Sequence, residues 1–138
     1  MLYCADMTDC DEMLHPRARQ GLILFNERKY FEAHEELEAA WKDERGKVRE
    51  LYQGILQAGV TYLHITRGNY PGAIKVYGRS MKWLRQFPET CRGVEVEQLR
   101  NDLTLAIEEI KRLGETRINE FNRDLLKPVI WKEDRNGK

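Results

Sequence analysis

Apolar residues recur along this chain at helical spacing, and the breaks between runs carry the signals that stop helices. A first run covers residues 16–26, with Pro16 near its start, where a missing N–H costs nothing. The polar turn Glu27-Arg28-Lys29 leads into a second helix from Tyr30 to Lys42, and Asp43-Glu44-Arg45-Gly46 breaks the pattern again. A third helix is predicted from about Val48 to Arg67, ending at Gly68, a residue suited to the left-handed C′ position. Asn69 is a natural N-cap, and Pro71 falls in the first turn of a fourth helix, which must stop before Pro88. A fifth run, from about Val94 to Leu113, puts Val96, Leu99, Leu103, Ala106, Ile110 and Leu113 on one seam. The expectation is an all-α, single-domain bundle of about five helices.

Two of these helices carry a polar anomaly. On a wheel of about 100° per residue, His34 shares its side of the second helix with Tyr30, Leu37, Glu38 and Trp41, while Glu32 and Glu36 point away. Glu35 borders that face. The third helix is apolar almost all round, through Leu51, Tyr52, Ile55, Leu56, Val60, Tyr62, Leu63 and Ile65, as in a helix buried on most sides. Its exceptions, Gln53, Gln57 and His64, fall on one narrow line. Buried polar groups are costly unless paired. The economical solution is that the two stripes meet, with His34 and Glu38 in direct or one-water hydrogen-bond reach of Gln53, Gln57 or His64. Gly54 and Gly59 would let a neighbouring helix come close.

A shift of 40 residues aligns Ala18 with Ala58, Leu22 with Tyr62, Tyr30 with Tyr70, Ala33 with Ala73 and Leu37 with Tyr77. That echo predicts a bundle built on two helix-hairpin units. The combination Phe25-Asn26, Tyr30-Phe31-Glu32-Ala33-His34-Glu35, Leu37-Glu38, Trp41, Tyr52-Gln53-Gly54-Ile55, Gln57, Val60, His64, Arg67-Gly68-Asn69 and Gly72-Ala73 resembles the bacterial and archaeal family called domain of unknown function 309. The resemblance covers about residues 16–85. It implies a compact all-helical bundle and brings no established activity. Beyond Pro88 the reading rests on periodicity alone.

Composition narrows the function classes. In 138 residues, 23 basic side chains balance 23 acidic ones, so no net field favours nucleic acid or an anionic membrane. No apolar run approaches the ~20 residues of a membrane span, and no signal peptide is evident between Met1 and Glu12. Cys4, Cys10 and Cys91 are odd in number and lack CxxC spacing, which fits reduced thiols in a cytoplasmic protein better than a disulfide framework. Lys75, Arg79, Lys82 and Arg85 read as a solvated face, over core positions Ile74, Tyr77, Met81 and Leu84. Val76, Trp83 and Phe87 form a second apolar line, which either packs under the tail or offers a homodimer surface. His15 reads as an exposed loop residue. The stretch from Phe121 to Trp131 is too apolar to float free and should dock on the bundle, whereas residues 1–12 and 132–138 should fray.

The candidate site is therefore the cluster His34, Glu35, Glu38, Gln53, Gln57 and His64. It reads either as a self-satisfying structural network or as the site of a non-catalytic module binding a small ligand or a protein partner. The alternative is a metal-dependent or acid–base enzyme, hydrolase-like, using His34, Glu38 and His64. Against a metal, Glu38 stands where an HExxH motif needs its second histidine, and amides such as Gln53 and Gln57 are poor zinc ligands. Phe31 occupies the position at which a di-iron Glu-x-x-His pattern needs its carboxylate. No metal and no cofactor are expected. No residue here names a substrate, pathway or partner.

Overall fold

The computed structural model describes residues 9–132. Five α-helices form the bundle: α1 (Pro16–Asn26), α2 (Tyr30–Asp43), α3 (Arg49–Thr66), α4 (Tyr70–Leu84) and α5 (Val96–Leu113). Their ends follow local chemistry. Pro16 opens α1, and the ring of His15 accepts a hydrogen bond from the Arg17 N–H. Asn69 caps α4 by accepting from the Gly72 N–H at 3.0 Å. Gly68, at φ +73°, makes the left-handed step between α3 and α4 that other residues adopt at a cost.

Helix α1 packs on α2 and α3 on α4, while the α2–α3 contact joins the two hairpins. Glycine sets the close approach in each hairpin. A Cβ on Gly21 would lie 2.7 Å from Leu37 Cγ, and one on Gly54 would lie 2.6 Å from Leu84 Cδ2. Helix α3 runs through the middle, with Leu51, Tyr52, Ile55, Ala58 and Tyr62 fully buried. Phe25, Tyr30 and Tyr62 meet edge to face across α1, α2 and α3, their ring centroids 5.3–5.8 Å apart. All six seam residues of α5 are buried, each contributing about 1–3 kcal/mol of transfer free energy according to size.

The second half holds features that periodicity did not signal. Helix α5 starts at Val96, because the residues before it form a hairpin. Its strands, β1 (Thr90–Cys91) and β2 (Val94–Glu95), pair antiparallel about Arg92 and Gly93. Arg92 (φ 53°) and Gly93 (φ 82°) both occupy the left-handed region, as a type I′ turn demands. After α5 the chain makes two short 3₁₀ turns and returns alongside this hairpin. Glu95 N–H donates to the Ile130 carbonyl and Lys132 N–H to that of Gly93. Asn26 clamps Val129 from both sides, Nδ2 donating to its carbonyl at 3.0 Å and Oδ1 accepting its N–H at 2.8 Å. Ile118, Phe121, Leu126 and Val129 are buried, so the tail docks as expected.

Two expectations are corrected. Cys10 and Cys91 are not free thiols but a disulfide closing a separation of 81 residues. Parity and local spacing carry no information about a pair so distant in sequence. The N-terminal segment is structured from Asp9, with Asp9–Asp11 in a 3₁₀ turn tied to β1 by that bond. Cys4 and the rest of the expected frayed ends, residues 1–8 and 133–138, lie outside the described residues. Of the second apolar line, Val76 and Phe87 are buried in their own chain and Trp83 is half-buried under Lys82. Lys75, Arg79, Lys82 and Arg85 are all exposed. No described helix is long and apolar enough to cross a membrane.

Candidate functional site

Helix periodicity puts His34 on the flank of α2 that faces α3. Its ring stacks on Phe31, one turn earlier, with centroids 6.1 Å apart and planes 19° from parallel. Phe31 is 55% exposed, unusual for a phenylalanine on a packed helix. Opposite them stand Val60 and Leu63 of α3 and Arg67, just beyond its end. These five residues line an open cleft of about 240 Å³. His34 Nδ1 is buried and meets no hydrogen-bond partner. An orphaned acceptor costs less than an orphaned donor, so the neutral ring keeps its proton on Nε2, the nitrogen that is not buried. The Arg67 side chain is exposed, with no hydrogen-bond or ion-pair partner among the described residues.

The other candidate residues have separate surroundings. Glu38 is 42% exposed at its side chain, with Lys42 Nζ 3.9 Å away. Glu35 is exposed. Gln53 and Gln57 are half-buried, and their amides form no hydrogen bonds among the described residues; the Gln57 carbonyl accepts from Thr61 Oγ1 at 2.8 Å. His64 faces the start of α4, its Nδ1 3.1 Å from Asn69 Nδ2. Because Asn69 Oδ1 already accepts from Gly72, its amide nitrogen donates and His64 Nδ1 accepts. Burial, then the nearby Arg67 charge, lowers the His64 pKa.

The expected direct hydrogen bonds between the two polar stripes are therefore not formed. The cause is angular. Val60, Leu63 and Arg67 lie roughly 20–80° to one side of Gln53 on α3, whereas Gln57 and His64 lie to the other. His34 meets that apolar shoulder and not the amide line. Among the described residues, no three histidine, cysteine, aspartate or glutamate side chains gather closely enough to hold a metal ion.

Residues 18–76 match the family model described as Domain of unknown function (DUF309). Over this segment the chain is similar to that family. No curated protein matches the sequence. The matched segment takes in most of α1, all of α2 and α3, and the first part of α4, so both walls of the cleft lie within it.

Reaching beyond that segment at both ends, the structure holds a polar network with no counterpart in the sequence reading. Arg92 is almost fully buried at the hairpin turn. Its Nε donates to the Asp9 carbonyl at 2.5 Å, and its Nη1 reaches the Met13 carbonyl, Glu44 Oε1 and the Tyr52 hydroxyl at 3.2–3.3 Å. Tyr52 also accepts from the His15 N–H at 3.1 Å. His15 is no loose loop residue: its Nδ1 caps α1 while Nε2 lies 2.7 Å from Asp43 Oδ2. Burial raises the Tyr52 pKa above its ordinary value. The one usable signal was His15-Pro16, since a residue before a helix-opening proline sits at the cap. The remaining partners are separated by 28 to 83 residues. A larger cleft of about 450 Å³ opens beside the disulfide, lined by Cys10, Asp11, Thr90, Gly93, Glu95 and Lys132. None of its lining side chains holds an orphaned buried polar atom.

Proposed function

We propose that this protein is a non-catalytic ligand-binding module and that its site is the cleft between α2 and α3. The carrying observation is the buried, unpaired Nδ1 of His34 in the wall of an open cleft. Such an atom weakens the folded state by about 1–3 kcal/mol relative to a satisfied one. Costs of this kind recur where side-chain placement serves binding rather than stability. The exposed Phe31 ring and the unpartnered Arg67 in the same cleft support the reading. The acid–base alternative needs His34, Glu38 and His64 around one substrate. Glu38 beside Lys42 and His64 against Asn69 speak for separate roles.

The test is a fragment titration of protein carrying labelled valine and leucine methyls. Saturable shifts at Val60 and Leu63, together with the His34 ring, are expected from at least one class of small fragment. A cleft whose signals stay fixed across charged and neutral fragments alike would overturn the reading.

A further inference from the structure

We propose that the occupant of this cleft is a monocarboxylate with a small apolar body, its carboxylate held by Arg67 and His34 Nε2–H. The inference rests on the ligand-binding reading above and adds the chemistry of the ligand. Size is the first constraint. A cleft of about 240 Å³ lies below the roughly 300–1,000 Å³ of sites that enclose drug-sized molecules, so the ligand is small. Phe31, Val60 and Leu63 offer only carbon, which calls for an aromatic or branched aliphatic body.

The polar part of the lining is one-sided. Arg67 brings a guanidinium fork with five N–H donors, and His34 brings Nε2–H. Among the described residues no carboxylate lines the cleft, and Glu38, one turn along the helix from His34, has Lys42 beside it. The ligand must therefore supply the acceptor and the negative charge. A planar carboxylate matches the guanidinium fork with two parallel hydrogen bonds. A phosphate dianion would bring a second charge and a third acceptor oxygen into a site with one cation and apolar walls. The same lack of partners makes Arg67 a clean probe, because no hydrogen bond or ion pair among the described residues depends on its head group.

The experiment titrates the methyl-labelled protein with phenylacetate and 4-methylpentanoate, using phenylacetamide and inorganic phosphate as controls. Phenylacetate should shift Val60 and Leu63 saturably and bind about tenfold tighter than its amide, the difference expected of one charge-assisted pair. Arg67→Gln should abolish that preference with an unchanged melting temperature, and His34→Phe should weaken phenylacetate binding while keeping the apolar wall. Equal binding of acid and amide, a preference that survives Arg67→Gln, or phosphate competing as well as phenylacetate would overturn the carboxylate assignment and leave the ligand-binding reading standing. If neither acids nor amides perturb the cleft, both readings fail.

Discussion

The two ends of α2 handle polar groups in opposite ways. At its C-terminal end, Asp43 and Glu44 join a network in which His15, Tyr52 and Arg92 each find a defined partner. Nearer its N-terminal end, His34 keeps a buried nitrogen with none, beside an exposed aromatic ring and an unpaired arginine. Both regions hold a histidine, an arginine and an aromatic side chain, so composition does not distinguish them. Satisfaction does. A buried cation such as Arg92 persists only when its donors are used, and here they fasten the N-terminal segment and the hairpin to the bundle. The His34 cleft fastens nothing. The lesson is to look for binding where the hydrogen-bond accounting fails to close.

That contrast can be broken most forcefully at Arg92. Arg92→Ala removes the guanidinium donor from the Asp9 and Met13 carbonyls and the Glu44 carboxylate, and should destabilise the fold by about 3–5 kcal/mol. Chemical denaturation should show this as a lower midpoint. A loss below about 1 kcal/mol would mean that the network is ornamental. Next comes the covalent tie. Replacing Cys10 and Cys91 together by serine removes a cross-link closing 81 residues and should cost about 2–5 kcal/mol. A reductant should lower the melting temperature of the wild type and not that of the double variant. Neither change should alter ligand binding at the α2–α3 cleft.

His64 provides a smaller and pH-dependent effect. Its folded pKa lies below the ordinary histidine value, so on acidification the unfolded chain takes up the proton first. Its contribution to stability is complete above about pH 6.5 and is lost as pH falls towards the folded value. Melting temperatures of wild type and His64→Asn should therefore diverge below about pH 6.5, with the wild type falling more steeply. Parallel curves would remove His64 from the acid response.

The helical half of this architecture was legible because its signals are local. Pro16, Gly68, Asn69 and Pro71 mark element ends through their own backbone preferences, and the α5 seam follows from spacing alone. The hairpin at Arg92-Gly93 was not legible, because two-residue strands have no periodicity to detect and arginine is an uncommon left-handed residue. The disulfide and the Arg92 network link residues far apart in sequence. At the site, the sequence placed His34 on a partly buried face correctly. It misjudged what stands opposite: a wheel gives the angles on each helix but not the rotation between two helices. Val60 and Leu63, not Gln53 and Gln57, came round to meet His34. Arg67 and Phe31 were visible in the motif, Arg67 as a helix end and Phe31 as the residue that breaks a di-iron pattern; only their joint position beside an orphaned nitrogen gives them a role.

The central claim is that His34 is kept for binding at the expense of stability, whereas His15 is kept for stability. The most direct measurement is a pair of thermal melts on His34→Leu and His15→Leu under one buffer condition. His34→Leu should melt at or above the wild-type temperature, since it removes the unpaired nitrogen and fills the same space with carbon. His15→Leu should melt lower, losing the α1 cap and the Asp43 contact at a cost of about 1–2 kcal/mol. If His34→Leu loses as much stability as His15→Leu, the cleft histidine is structural and the account is contradicted.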